Sequence, residues 1–336
     1  MRARREAEPM RFVILGAGGV GGVIGGRLFQ HGYDVVLIAR GAHLAAIQQY
    51  GLRLEDPDAT AELAVPAVAT SAAVGFTDDD VVILATKGQD AAAALDELRR
   101  AAPTATPVVC ATNGVEVERI ALRSFPNVYG INVMMPTAYL EPGVVQVISA
   151  PIVGGLDIGR YPTGSDAVAE AIAAALTASA FSSDACSAIM RLKYRKLVMN
   201  TANSIEAACG TRSDAGKELV RRAEAEAEAV YAAAGIAVAD PEEEAPKRAL
   251  MNYRPIAGKH RGGGSTWQSV ARGGSVETDF LNGEIVLLGR LHLVATPVNT
   301  LMQRVLFELA GSGATPGGMD AAALLAQVSM EVSMQG

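Results

Sequence analysis

Cysteine is scarce. Cys110, Cys186 and Cys209 are the only three in 336 residues; they stand far apart and form no C-x-x-C pair. That spacing speaks against a disulfide framework and fits a reduced, cytoplasmic setting. Histidine is nearly as sparse: His31, His43, His260 and His292 make no H-x-x-x-H pattern, so the usual zinc signatures are missing. Basic excess is missing too. Lys and Arg number 29 against 36 Asp and Glu, a net charge of -7, which argues against a nucleic-acid partner while leaving room for a local anion site. Long apolar runs are absent. Phe12–Gly26 is uncharged but holds only 15 residues, seven of them glycine, short of the ~20 that cross a bilayer. Arg2, Arg4 and Arg5 precede it and imitate a secretory lead, but Glu6, Glu8, Pro9 and Arg11 interrupt that lead and no small-residue cleavage site follows. No membrane partner is expected.

Half the residues are hydrophobic and 35 are glycine, enough apolar content for a sizeable core. A chain this long suggests two domains, at roughly 100–200 residues each. In the first half, strands alternate with helices. Phe12–Leu15, Val35–Ala39, Val81–Thr86 and Val108–Ala111 read as buried strands; Gly18–Gln30, Ala42–Tyr50 and Ala91–Arg100 read as helices between them. That order implies a parallel sheet with right-handed crossovers. Val144–Ile148 and Pro151–Gly155 suggest an antiparallel extension of the same sheet, and Ala167–Ala180 a helix. Beyond Ala188 the strand signal fades. Leu192–Ala208, Glu218–Ala234, Val276–Leu291 and Val298–Leu309 carry helical spacing. The expected division is an N-terminal arm (residues 1–9), an α/β domain (10–187) and an all-α domain (188–336). The Glu224, Glu226, Glu228 run reads as a solvated helix face. Gly258–Gly264, with Lys259, His260 and Arg261, reads as a mobile basic loop.

Gly16-Ala17-Gly18-Gly19-Val20-Gly21 fits G-x-G-x-x-G. The pattern is weak alone, but here it follows a strand and opens a helix, the context of a dinucleotide site. Gly16 permits the tight turn, Gly18 a close approach to a pyrophosphate at the helix N-terminus, and Gly21 close packing of helix on strand. Gly22, Gly25 and Gly26 sit inside the helix at a cost of up to ~1 kcal/mol each, which close packing would have to offset. At the end of the second strand, where an NAD-binding fold carries an acidic residue, this chain has Arg40. A guanidinium suits a 2'-phosphate, so the expected cofactor is NADPH/NADP+.

Lys87, Gln89 and Asn113 fall at or just past strand C-termini, where open α/β sheets bind ligands. Lys196 and Asn200 are four apart and share a helix face. Later come Ser265 and Glu277-x-x-x-x-Asn282-Gly283, whose Asn282-Gly283 pair sits among apolar residues at helical spacing and so reads as part of a helix. With these residues in this order, nearly the whole chain after Met10 resembles the ketopantoate reductase family. The resemblance implies a Rossmann-type domain joined to a helical domain like that of 6-phosphogluconate dehydrogenase. It implies NADPH-dependent reduction of a 2-keto acid, foremost 2-dehydropantoate to (R)-pantoate in pantothenate biosynthesis.

Carried over by position, the resemblance makes Lys196 the general acid and Glu277 the carboxylate that organises it and the substrate. It makes Asn113, Asn200 and Ser265 substrate contacts, and puts Lys87 near the nicotinamide and the substrate. The family often has a second substrate-contacting asparagine four residues past the one matching Asn200; here Ser204 stands there, with Asn203 beside it. The physical logic agrees with this assignment: a carbonyl oxygen that becomes an alkoxide needs a proton and a nearby positive charge, and Lys196 offers both. The alternatives are a related D-2-hydroxy acid dehydrogenase with another substrate and a catalytically silent nucleotide-binding regulator. The expected partner is a small 2-keto acid, with a homodimer left open. Because the cofactor turn and Lys196 fall in different domains, chemistry is expected to need both domains facing one cleft.

Overall fold

The computed structural model describes residues 10–258 and 262–335. The N-terminal arm, residues 1–9, and the loop residues Lys259, His260 and Arg261 lie outside the described residues. The chain forms two units. Among described residues the first comprises 10–112, 117–190 and 242–258, and the second 113–116, 191–241 and 262–335. A boundary near Ser187 therefore differs from the structure in two places: the short stretch after Thr112 counts with the second unit, and 242–258 counts with the first.

In the first unit, β1 (Arg11–Leu15) leads through α1 (Gly19–Gln30) to β2 (Asp34–Ile38), α2 (Gly41–Tyr50), β3 (Leu52–Glu55), β4 (Thr60–Leu63) and β5 (Ala67–Val68). Then come β6 (Asp80–Leu84), α3 (Gly88–Leu98), β7 (Val108–Cys110), α4 (Val117–Leu122), β8 (Val128–Met134), β9 (Thr137–Ala138), β10 (Val144–Val147), β11 (Gly155–Arg160) and α5 (Ala167–Ala178). Seven strands make one sheet in the order β11-β8-β7-β6-β1-β2-β5. Every pairing in it is parallel except β11 on β8. The middle strands are apolar on both faces because helices cover both. In β1, Phe12 and Ile14 enter one core with Val23 and Ile24 of α1, while Val13 and Leu15 enter another with Leu95 and Leu98 of α3.

The antiparallel extension is confined to β11. The strand of Val144–Val147 joins β4, β3 and β9 in a separate four-stranded sheet, and Gly155–Arg160, rather than Pro151–Gly155, makes the extending strand. The reason lies in α1, which is sandwiched between the sheets. A Cβ on Gly25 would meet Leu37 and Ile14 of the large sheet at 2.7 and 2.9 Å. One on Gly22 would meet Val145 of β10 at 2.7 Å, and one on Gly26 would meet Leu54 of β3 at 2.7 Å. The helix glycines are thus the contact surface for two sheets, which offsets their poor helix propensity.

The second unit is helical: α6 (Ile189–Asn200), α7 (Ala202–Cys209), α8 (Asp214–Ala234), α10 (Ser265–Ala271), α11 (Asn282–His292), α12 (Pro297–Leu309) and α13 (Ala321–Gln335). Between α8 and α10, α9 (Ala245–Leu250) lies in the part that returns to the first unit. The expected single helix over Leu192–Ala208 is two helices, interrupted at Thr201, whose hydroxyl donates to the Val198 carbonyl at 2.7 Å and competes with the helix ladder. The helix expected from Val276 starts only at Asn282, after a 3-10 turn at Thr278–Phe280. Ile205, Leu219, Leu301, Met302 and Leu324 form the core of this unit.

Candidate functional site

The glycine turn connects β1 to α1. Gly16 has φ +104 and lies so close to the Ala85–Thr86 backbone that a Cβ would sit 3.0 Å from it. Gly21 is more constrained: a Cβ there would fall 2.1 Å from the Gly16 carbonyl oxygen. Gly18, the N-cap of α1, is the opposite case, with nothing within 4 Å of its Cβ position. Gly18 itself has no side chain to cap α1, and no acidic residue occupies the first turn. A helix N-terminus with open space at its N-cap and no acidic side chain in its first turn is the arrangement an anion needs. Beside it, Thr86 Oγ1 is buried without a hydrogen-bond partner among the described residues. Open space at Gly18 and an orphaned hydroxyl next to Gly16 fit a dinucleotide.

Arg40 follows β2 and is the N-cap residue of α2, with its side chain 68% exposed. Its guanidinium donates to Glu97 Oε2 of α3 at 2.6 Å, and Glu97 Oε1 accepts the Ser71 N–H at 2.9 Å. Lys87 is the N-cap residue of α3, and Gln89 lies in the first turn of that helix; both are half-buried.

In the second unit, Lys196 of α6 donates from Nζ to Asn113 Oδ1 at 3.0 Å. The next residue, Gly114, has φ +78, and a Cβ there would lie 2.7 Å from the Phe280 carbonyl. The Asn113-Gly114 turn therefore rests on the 3-10 turn headed by Glu277. Asn200, four residues beyond Lys196, is 8% exposed, and its Nδ2 has no partner among the described residues. Thr278, beside Glu277, likewise has a buried hydroxyl without a partner. Orphaned donors of this kind are rare in native interiors and call for a ligand or water.

Asn203 and Ser204 separate. Ser204 is fully buried and its hydroxyl donates to Asn282 Oδ1. Its donor is thus used inside the protein, while its oxygen keeps acceptor capacity. Asn203 is half-buried, with Oδ1 3.7 Å from where a Gly264 Cβ would stand. Gly264, the N-cap of α10, donates its N–H to Glu206 Oε2 at 2.9 Å, and Ser265 follows it on the exposed side. Gly262 and Gly263 lie flat on Trp267, where Cβ atoms would fall 2.2 and 2.6 Å from the indole.

Sequence reasoning missed the polar core that supports these residues. Asn282 donates to the Thr201 carbonyl at 3.2 Å and to Asn299 Oδ1 at 2.9 Å. Asn299 in turn donates to Glu226 Oε2 at 2.7 Å, and Glu226 accepts the Val298 and Asn299 N–H groups at 2.8 and 3.0 Å. Glu226 is therefore not part of a solvated face; it caps α12 from α8, and burial pushes its carboxyl above the usual range. Through this chain Asn282 fixes the segment after Glu277 against the end of α6. The only sequence signal was Asn282 itself.

Residues 12–162 match the family model described as ketopantoate reductase PanE/ApbA, and residues 188–309 match the model of its C-terminal part. The 2-dehydropantoate 2-reductase of Halobacterium salinarum is 29% identical over 303 residues, covering 86% of this chain and 95% of the relative. That of Pyrococcus horikoshii is 28% identical, covering 87% and 95%. Among solved structures, a PanE/ApbA family ketopantoate reductase from Ralstonia eutropha superposes with a TM-score of 0.76 at 28% identity, over 90% of this chain and 99% of that one. A D-mandelate dehydrogenase solved with NADH and anilino(oxo)acetate superposes with a TM-score of 0.77 at 25% identity, over 90% and 99%.

Proposed function

From the premise that the chain belongs to the ketopantoate reductase family, NADP-dependent oxidoreductases acting on CH–OH groups, we propose that its own substrate is 2-dehydropantoate, reduced to (R)-pantoate. Reduction of a 2-keto acid is the family's chemistry. Bound nicotinamide supplies a hydride to the carbonyl carbon. The protein must then supply a proton and stabilise the developing charge on oxygen.

The observation that carries the reading is the Lys196–Asn113 hydrogen bond at 3.0 Å. An ammonium held by an amide oxygen is oriented rather than free to wander, and it offers both proton and positive charge. Asn200 adds a buried amide donor on the same helix, without a partner among the described residues and suited to a carboxylate or hydroxyl oxygen of the substrate. Glu277 is assigned the carboxylate that organises Lys196 and the substrate. Glycines 16, 18 and 21 and Arg40 are assigned to the pyrophosphate and the 2'-phosphate.

A second reading has one observation behind it. Ser204 turns inward to Asn282, so the place that would grip the far end of pantoate carries no amide there, and a D-mandelate dehydrogenase is among the similar structures. Steady-state kinetics with NADPH and a panel of 2-keto acids separates the two. We expect kcat/KM for 2-dehydropantoate to exceed that for phenylglyoxylate at least tenfold. The reverse order would make the protein a reductase of aromatic 2-keto acids. No turnover of any keto acid with intact NADPH binding would support a silent nucleotide-binding regulator.

A further inference from the structure

One imidazole in the first unit has both ring nitrogens committed, and neither serves the reaction described so far. His43, in the first turn of α2, is 7% exposed. Its Nδ1 accepts the Gly143 N–H at 2.8 Å. A nitrogen that accepts carries no proton, so the proton sits on Nε2, which donates to the Ala17 carbonyl at 2.7 Å. The ring also packs on Tyr139, with centroids 4.6 Å apart. Burial depresses the His43 pKa, which keeps this neutral form in place.

Ala17 is the second residue of the glycine turn. Its peptide bond to Gly18 is trans, the only cis bonds being at Pro151 and Pro162 among the described residues. In a trans peptide the C=O and N–H point in opposite directions. Pinning the Ala17 carbonyl toward His43 therefore turns the Gly18 N–H away from it, at the helix N-cap where the space beside Cα is open. We propose that His43 is a positioning residue for the cofactor: it locks the Ala17–Gly18 peptide so that the Gly18 N–H is aimed at the pyrophosphate. The proposal rests on the assignment of the glycine turn to a dinucleotide.

The clip has a specific consequence. It bears on the pyrophosphate, common to NADPH and NADH, and not on the 2'-phosphate, which belongs to Arg40. Two variants and three ligands test it, with binding read by fluorescence for the dinucleotides and by calorimetry for adenosine 2'-monophosphate. His43→Phe keeps a ring against Tyr139 and removes both hydrogen bonds. His43→Gln offers Oε1 to Gly143 and Nε2 to Ala17. We expect His43→Phe to weaken NADPH and NADH by a similar factor, about tenfold, the worth of a misaligned hydrogen bond to a charged group. Adenosine 2'-monophosphate, which has no pyrophosphate, should bind as before, and His43→Gln should recover most of the loss. An equal loss for all three ligands, no loss for any, or no recovery in His43→Gln would each overturn the proposal. Failure of the native protein to bind either dinucleotide would instead remove the cofactor assignment beneath it.

Discussion

Lys196 and Glu277 are assigned to one shared step, and Arg40 to cofactor choice. Lys196 is assigned to the proton, and general acid catalysis contributes roughly 10²–10⁴-fold. Lys196→Ala should lower kcat at least ~100-fold while NADPH still quenches or shifts fluorescence as in the native protein. Glu277→Ala should lower kcat and raise the keto acid KM together, and the double variant should lose far less than the product of the single losses, because the two act as a unit. A multiplicative double mutant would separate them. Arg40 is assigned to the 2'-phosphate. Its ion pair with Glu97 is open to solvent and adds little stability, so Arg40→Ala should leave the melting temperature nearly unchanged. It should erase a preference for NADPH over NADH of at least tenfold, and that preference should shrink with added salt in the native protein. Equal affinities in the native protein would remove the assignment.

The element that most constrains the first unit is α1. An isolated helix gains ~1 kcal/mol when glycine becomes alanine. Here the sign reverses. Gly25→Ala would drive a Cβ to within 2.7 Å of Leu37 and 2.9 Å of Ile14, and overpacking of this kind costs about 1–3 kcal/mol. Urea unfolding should show Gly25→Ala destabilised by an amount in that range; a stabilised variant would mean that the large sheet does not grip the helix. The fingerprint glycines were legible because their pattern names their task. Those at 22, 25 and 26 were legible only as a cost, since the side chains that need their absence, Val145, Leu37 and Leu54, come from strands scattered along the chain. The break between α6 and α7 was hidden for a similar reason: Thr201 differs little from its neighbours in helical periodicity, and its bond to Val198 shows only in three dimensions.

For the whole molecule, one buried imidazole should leave a mark on the pH dependence of stability. The folded protein holds the His43 pKa below its ordinary value, whereas in the unfolded chain it titrates near 6.5. As pH falls below about 6.5 the unfolded state takes up the proton first. The stability due to neutral His43 is thus present above that pH and is lost progressively until the lower folded value is reached. Other groups titrate in the same range, so the difference between the native protein and His43→Gln isolates this one. The native protein should lose more unfolding free energy than the variant between pH 7.5 and pH 5. Parallel curves would show that the ring is not held neutral.

By itself the sequence determined the class of fold, the glycine turn, the arginine at the end of β2 and the lysine–asparagine spacing of α6. All of these are local: a strand, its turn and the helix after it are contiguous, and residues four apart share a helix face whatever surrounds them. Tertiary structure alone decided that β10 joins a second sheet, that residues 242–258 return to the first unit, and that the Ser204 hydroxyl donates to Asn282. It also decided that Glu226 caps a helix 72 positions away and that His43 braces a turn 26 positions before it. A polar side chain's task is set by whichever donors and acceptors folding brings within 3 Å of it. That proximity is a property of the packed chain, and neither composition nor periodicity encodes it.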